Sequence, residues 1–379
     1  MGLKPQGFGP SWFSTNFPQP RPAPVNARNA LQSCARRLRA AALANTRAAA
    51  EAPRLPAPPG RAMFEQKPQG PVGTGRVTGA RVRVPASTSN VGPGFDFIGL
   101  ALSLYLEVEV RPSASAAHVL ELGLGAEAWP NAADNLLLAG FERAWRAAGG
   151  GERRFAFRVT SEIPLGRGLG SSGAAIVAGL LLGAALAPRP IDRDELLRLA
   201  VELEGHPDNA SPALLGGCVL ALPRKDAAPR IVRQALHPSL AFAVAWPSVA
   251  LETRVARGLL PKQVAFADAA DNPRRLALLL EGLRTGERDL LDLGGVDRLH
   301  VPYRLPHIPG GERALAAARD AGAHLATISG SGSALFLVAA HESIERVARA
   351  ARAELERASP PAVAHVVSAV TAATTPTLL

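Results

Sequence analysis

The stretch over residues 163–175, I-P-L-G-R-G-L-G-S-S-G-A-A, has the composition of a loop that cradles a phosphate and feeds directly into a helix. Gly166, Gly168 and Gly170 permit backbone conformations that a side chain forbids, and they let an anion come close to the main chain. Ser171 and Ser172 follow where helix caps are expected, with unpaired N–H groups and the positive end of the helix dipole facing the loop. Glycines alone would equally suit a turn that merely joins strand to helix. No Lys-Ser or Lys-Thr pair follows them, so the run is not a Walker A loop. Gly168, Gly170 and Gly173 do have G-x-G-x-x-G spacing, but residues 161–167 separate them from the preceding strand, which a dinucleotide fingerprint should follow directly.

Two other strings are too polar for a core. Residues 85–99, P-A-S-T-S-N-V-G-P-G-F-D-F-I-G, read as a loop between two strands. It is either a recognition loop or a long ordered turn with Asn90 and Asp96 capping backbone groups. Residues 201–217, V-E-L-E-G-H-P-D-N-A-S-P-A-L-L-G-G, run from a helix end into a turn. His206 there has no second histidine at helical distance, which argues against a histidine metal site. Glu204 falls in the last helical turn, where the dipole disfavours an anion, so its charge asks for a cationic partner, whereas Glu202 reads as solvent-facing. A carboxylate with a serine hydroxyl, completed by phosphates and water, is a common way to hold Mg²⁺.

The elements that must position these residues follow from periodicity. Residues 155–159 read as a strand and 174–186, an apolar run broken by Gly179 and Gly183, as the helix after the glycine loop. Upstream, a strand begins at about Arg81, and Leu102, Leu104, Leu106, Val108 and Val110 alternate as a half-buried strand. Leu137, Phe141 and Trp145 mark the buried face of a helix over 134–148. Asp192 and Glu195 form a capping-box pattern for a helix that Gly205 ends. Beyond about residue 236 the reading is strand 241–246, helix 253–260, further helix through 292, helix 311–321, strands 323–328 and 334–338, helix 343–355 and strand 363–370. That alternation fits a split β-α-β sandwich of the ferredoxin-like type.

With 379 residues, 47% of them hydrophobic, the chain can bury a large core and is expected to hold two domains. Its two cysteines, Cys34 and Cys218, are too few for a disulfide framework and favour a reducing compartment. The net charge of +10 would ordinarily suggest nucleic acid or an anionic membrane. However, residues 1–80 carry eleven Lys/Arg against two acids, so all but one unit of that excess lies in a Pro-, Ala- and Arg-rich leader. The leader reads as disordered, with no part in the chemistry, and Met63 is an alternative start. It fits either a dispensable extension of a cytoplasmic protein or a plastid transit peptide. The rest of the chain is nearly neutral, so neither nucleic acid nor membrane is expected as a partner.

Residues 164–175 resemble the second motif of the GHMP kinases, the family of galactokinase, homoserine kinase, mevalonate kinase and phosphomevalonate kinase, departing only at Gly173, where alanine is more usual. Residues 85–99 are similar to the first motif. Residues 328–334, I-S-G-S-G-S-A, resemble the third, with Ser333-Ala334 replacing the usual Pro-Thr or Pro-Ser. The likeness spans about residues 81–370. Within the family, the forms P-A-x-x-x-N-x-G-P-G-F-D and E-G-H-P-D-N-A-x-P-A-L-x-G-G, and the segments L-E-T-R-V-A-R-G-L-L-P and D-R-L-H-V-P-Y-R, are similar to the homoserine kinases.

The resemblance implies an α+β fold of two domains after the 1–80 leader. Residues 81–237 would form the ATP-binding domain, an α/β unit with a left-handed-crossover-type phosphate loop, and 238–379 a ferredoxin-like α/β sandwich. It implies ATP held by Pro164, Leu165, Gly166, Arg167, Gly168, Leu169, Gly170, Ser171, Ser172, Gly173 and Ala174, with Mg²⁺ on Ser172 and Glu204. It further implies L-homoserine as the substrate, its amino and hydroxyl groups on Asn90 and Asp96 and its carboxylate gripped by Thr253, Arg257 and Arg304, with His206 and Asn209 also touching it. Asn209 stands where several relatives place an aspartate base, so Asn209, Glu204 and Ser172 would act by positioning and charge neutralisation. The alternatives are another small-molecule kinase of the family and a silent nucleotide or amino-acid sensor; the presence of both Ser172 and Glu204 speaks against silence. A homodimer is compatible with either reading.

Overall fold

Alternating apolar residues build the first sheet. The computed structural model describes residues 78–115, 117–130, 134–225 and 227–379; the leader reading, with Cys34 and Met63, falls outside the described residues as far as residue 77. Strand β1 (Ala80–Ser89) pairs antiparallel with β2 (Ile98–Ser113), and β2 with β4 (Arg154–Ser161), while β3 (Val119–Leu122) lies parallel to β4. The register sets Val82, Val108 and Val159 side by side, so three strands present one continuous apolar row. A hairpin of β5 (Cys218–Arg224) and β6 (Ala227–Gln234) joins the start of β2, and β11 (Thr377–Leu378) covers the free edge of β1, which makes seven strands.

Two helices close over this sheet. Asn135 caps α1 (Leu136–Ala147) by accepting from the N–H groups of Leu137 and Leu138, and Leu137, Phe141 and Trp145 are buried on one face as their spacing predicts. Helix α2 (Ser171–Leu186) is buried on every side from Gly173 to Gly183, which is why its sequence shows no polar stripe. The two helices cross on glycine. A Cβ on Gly179 would come within 2.1 Å of the Leu137 carbonyl oxygen, and one on Gly183 within 2.4 Å of that of Phe141. Helix α3 (Arg193–Glu204) starts on Asp192, whose carboxylate accepts from the Glu195 N–H at 2.7 Å; Glu195 itself pairs with Arg198, so only half of the capping box forms. Gly205, left-handed at φ 86°, ends it, and the short α4 (Ala210–Leu215) follows.

The second sheet comprises β7 (Leu240–Trp246), β8 (Leu325–Ile328), β9 (Leu335–Ala340) and β10 (Val363–Val367), in the all-antiparallel order β10-β7-β9-β8 of a ferredoxin-like sandwich. Helices α5 (Thr253–Gly258), α6 (Phe266–Thr285), α7 (Arg288–Gly294), α8 (Val301–Arg304) and α9 (Gly311–Asp320) intervene between β7 and β8, and α10 (Ile344–Ala358) between β9 and β10. The sheet is buried on both faces: Ala241, Ala243 and Ala245 join the core under α9 and α10, whereas Leu240, Phe242, Val244 and Trp246 join that of the first sheet. The segment after β10 returns to the first sheet, where Val370 N–H bonds the Ala101 carbonyl and Thr374 N–H that of Leu214.

Two readings need correction. The polar residues Ser87, Thr88 and Ser89 lie in β1, not in a loop, and are fully buried. Two of the three hydroxyls find partners across the fold, Ser87 Oγ bonding Asn209 Oδ1 at 3.0 Å and Thr88 Oγ1 meeting Ser329 Oγ at 2.8 Å, while Ser89 Oγ has no partner among the described residues. The cap of α2 is Gly170, left-handed at φ 69°, and Ser171 and Ser172 are the first two helical residues, so they offer main-chain N–H groups rather than side-chain caps. Strand β3, helix α4, the β5–β6 hairpin and β11 have no counterpart in the periodicity reading.

Alanine in place of glycine normally favours a helix by about 1 kcal/mol. At Gly179 the sign should reverse, because the added Cβ meets the α1 backbone. Gly179→Ala is expected to destabilise the protein by roughly 1–3 kcal/mol and lower its thermal midpoint by several degrees, read by circular dichroism.

Candidate active site

Three glycine-bearing segments meet at one cleft, lined by Gly166, Gly168, Gly170, Ser171 and Ser172 of the phosphate loop, Ser89 and Asn90 from the end of β1, His206 and Asn209, Thr253, Arg257 and Arg304, and Gly330 and Ser331. The phosphate loop is left-handed at Gly166, Gly168 and Gly170. A Cβ at Gly168 would lie 2.2 Å from the Ser329 carbonyl oxygen and one at Gly170 would lie 2.1 Å from Ser87 Oγ, so close packing as well as φ requires glycine at both. The 328–334 segment closes on this loop as its glycine turn suggests: Ser329 Oγ donates to the Gly168 carbonyl at 2.7 Å and Ala334 N–H to that of Arg167 at 2.8 Å. The Ser333-Ala334 departure leaves this closure intact.

At the opening of α2 the main-chain N–H groups of Ser171 and Ser172 face the loop, and Ser172 Oγ donates to Glu204 Oε1 at 3.0 Å. Glu204 Oε2 accepts from the Ala210 N–H at 3.1 Å. Gly173 gives this carboxylate its room, since a Cβ there would lie 2.9 Å from Oε1. Burial pushes the Glu204 carboxyl up to about 7, with the charges of His206 and Asp208 acting in opposite directions. Two hard oxygens side by side at a phosphate cradle, one of them a carboxylate costly to ionise without a cation, are a donor set that fits Mg²⁺. Among the described residues no cluster of three His, Cys, Asp or Glu could hold a metal unaided. Glu202 is paired with Arg143 and Arg198 at the surface.

His206 Nδ1 lies 2.6 Å from Asp208 Oδ1, which leaves Nε2 as the nitrogen that can meet a ligand. Burial would lower its pKa, but the hydrogen bond and charge of Asp208, followed by the charge of Glu204, outweigh it and hold the imidazole above its ordinary value. Asn209 Oδ1 accepts from Ser87, so its amide nitrogen is the group it can offer.

In the same cleft, Arg257 makes a bidentate pair with Asp96, at 2.7 and 3.0 Å, and this pairing raises the guanidinium pKa. The two residues expected to hold opposite ends of a substrate thus neutralise each other in the structure. Arg304 is 1% exposed and, among the described residues, has no acid within ion-pair distance. Among the described residues its donors reach the carbonyls of Ala256 and Gly330, both at 3.3 Å. Burial, and then the like charge of Arg257, pulls it down to about 10. Pro164, Leu165, Arg167, Leu169, Gly173 and Ala174 do not line the cleft; Leu169 and Ala174 are core, and Arg167 bonds the Ser248 carbonyl. The sequence reading missed the buried polar clasp of Ser87, Thr88 and Ser329, and also Phe95, whose ring lies 5.6 Å from the Arg257 guanidinium carbon and 5.2 Å from that of Arg304. Their signal was present in the motifs as polar and aromatic residues with no separate task.

A glycine cradle at a helix start, a hydroxyl–carboxylate pair beside it and two arginines lining the same cleft are parts that suit an enzyme of phosphoryl transfer. Residues 135–217 match the model of the GHMP kinases N terminal domain and 278–357 that of the GHMP kinases C terminal domain. A homoserine kinase of Synechococcus sp. (strain RCC307) is 40% identical over 272 residues, 71% of this chain and 87% of that one, and one of Prochlorococcus marinus (strain MIT 9313) is 40% identical over 71% and 86%. The crystal structure of homoserine kinase from Cytophaga hutchinsonii superposes with a TM-score of 0.73 at 28% identity, over 82% of this chain and all of that one. Mevalonate kinase of L. major, solved with R-mevalonate, shares the fold at a TM-score of 0.59 and 16% identity, over 78% and 97%. The chain belongs to the GHMP kinase family, the ATP-dependent kinases that act on a hydroxyl group. Among the described residues no helix is long and apolar enough to cross a membrane.

The raised Glu204 pKa carries a pH signature. A carboxyl that holds its proton more tightly when folded contributes stability below the ordinary carboxylate range and loses it as pH rises through about 7. In metal-free protein, thermal midpoints at pH 5 and pH 8 should therefore fall further apart for the wild type than for Glu204→Gln. Equal pH dependence in the two proteins would contradict the raised Glu204 carboxyl.

Proposed function

We infer that the chain is a homoserine kinase, which transfers the γ-phosphoryl group of ATP to the side-chain hydroxyl of L-homoserine and gives O-phospho-L-homoserine, a step toward threonine. The observation that carries the substrate is Arg304, a buried cation with no acid partner among the described residues, which lines the same cleft as the phosphate loop near the Arg257–Asp96 pair. An amino acid is itself a carboxylate and an ammonium. It can replace this pair charge for charge, the carboxylate taken by Arg257 and Arg304 and the ammonium by Asp96, with Thr253 at the carboxylate and Asn90 toward the side chain. A guanidinium fork matches a carboxylate in geometry. The names of the relatives at 40% identity support the same substrate.

The loop glycines and the N–H groups of Ser171 and Ser172 would receive the ATP phosphates. Mg²⁺, held by Ser172 and Glu204, would supply charge neutralisation on those phosphates. Asn209 and His206 would place the acceptor hydroxyl, Asn209 by donating its amide N–H; an amide is no base, so no residue at this position removes the proton. The acceptor oxygen forms a bond to phosphorus as the bond to the β-phosphate oxygen breaks, and the hydroxyl proton passes to an oxygen of the transferred group. A loose transition state asks little of the nucleophile, so position and charge suffice. The two cysteines of the chain suit a reducing compartment, and this reading takes it to be the cytoplasm.

ADP release measured with homoserine, mevalonate, galactose and shikimate tests the substrate directly, and turnover of any of these in preference to homoserine would overturn the reading. Arg304→Ala should weaken homoserine binding by roughly 1.5–3 kcal/mol, on the order of ten- to a hundredfold, while leaving ATP affinity nearly unchanged by calorimetry. Homoserinol, which lacks the carboxylate, should be a poor substrate for the wild type and lose little further in the variant.

A further inference from the structure

His300, in the D-R-L-H-V-P-Y-R segment, has no task in the chemistry above, yet it is fully buried beside the amino-acid end of the cleft. It stands at the N-cap of α8, where its carbonyl accepts from the Arg304 N–H at 3.1 Å. Its ring reaches the other side. Nε2 lies 2.8 Å from the Gly92 carbonyl oxygen, which can only accept, so Nε2 carries the proton and donates. Gly92 belongs to the turn between β1 and β2 that carries both Asn90 and Asp96.

That turn needs outside support. Asn90, Gly92 and Asp96 are all left-handed, at φ 56°, 52° and 51°, a conformation that Asn and Asp adopt with the help of local hydrogen bonds. The Asn90 Oδ1 bond to the Asp96 N–H at 2.7 Å closes the turn on itself but does not fix its position. From later in the chain Arg257 also holds Asp96, at 2.7 and 3.0 Å, in a pair that a zwitterionic substrate would open, and the bond from Asn272 Nδ2 to the Pro93 carbonyl is long at 3.4 Å. The His300 ring also lies 5.4 Å from that of Phe95, the aromatic residue next to both arginines. Asp297 Oδ2 accepts from the N–H groups of Leu299, His300 and Val301, at 3.1, 2.7 and 2.8 Å, which locks the main chain from which the imidazole projects. Burial favours the neutral ring, so no third positive charge is added beside Arg257 and Arg304.

We propose that His300 is a positioning residue that sets the two sides of the amino-acid subsite against each other, its Nε2–H fixing the Asn90–Asp96 turn and its carbonyl anchoring the helix that presents Arg304. This rests on the homoserine reading of the cleft. The role differs from filling space, because it requires a donor at the place of Nε2, which His300→Gln can supply and His300→Phe cannot.

The test is steady-state kinetics of the full chain with homoserine and ATP varied in turn, alongside thermal melts. His300→Phe should raise KM for homoserine roughly five- to tenfold, the equivalent of one neutral hydrogen bond, with kcat and KM for ATP within about twofold of wild type. His300→Gln should recover most of that loss. If His300→Phe does not fold, His300→Asn, one methylene too short to reach Gly92, takes its place with the same expected rise. An unchanged KM for homoserine in the folded variant, an equal rise in KM for ATP, or a Gln variant no better than the variant lacking the donor would each overturn the role. The wild type in the same assay separates the two ideas. Failure of wild type to phosphorylate homoserine removes the substrate reading, whereas normal wild-type turnover with indifferent variants removes only the role of His300.

Discussion

The site depends on three main chains packed together with almost no side chain between them. The end of β1 bonds the phosphate loop through the Ser87 N–H and the Leu169 carbonyl at 3.1 Å, and bonds the 328–334 turn through the Ser89 carbonyl and the Gly330 N–H at 2.8 Å. The Ser329 hydroxyl, near both Thr88 Oγ1 and the Gly168 carbonyl, ties all three together. Such an approach leaves no space for a Cβ and buries polar groups that must find partners among themselves. The glycines and the buried hydroxyls are therefore one requirement. The glycines permit the contact, and the serines and threonine satisfy what it buries.

The sequence showed much of this through its periodicities. Leu102 to Val110 alternates because one face of β2 is core, and Leu137, Phe141 and Trp145 recur because α1 has one buried side. Where both sides are covered, the pattern carries less information. Helix α2 reads as a bare apolar run, and its Gly179 and Gly183 look like interruptions until the crossing with α1 gives them a function. The polar residues at the end of β1 read as loop because hydrophobic patterning takes polarity as a sign of exposure, and their partners, Asn209 and Ser329, lie more than a hundred residues away.

Among the candidate site residues, the motifs showed which side chains belong together but not how they are shared. Asn90, His206, Asn209, Thr253, Arg257 and Arg304 do line one cleft. The pairing of Arg257 with Asp96 was not legible, because charge complementarity across 161 residues leaves no local trace in the chain. It also gives the subsite an electrostatic logic. Two of its charges are matched before any ligand arrives, whereas Arg304 has no acid partner among the described residues. An uncompensated buried cation is costly, so the pocket favours an anion through its own instability.

The return of residues 377–378 to β1 has a consequence for how the protein is made. Thr78 Oγ1 donates to the Leu379 carbonyl at 2.7 Å across 301 positions, and the intervening 369–374 segment bonds Gly217 and Leu214 beside the Asn209 turn. During synthesis the first sheet is therefore built with an open edge on β1, and that edge stays open while the whole ferredoxin-like sandwich is translated. Exposed strand edges invite pairing with other chains, and late, long-range contacts slow folding. Residues translated only after the whole second sheet are thus the ones that seal the strand on which the clasp of the active site is built.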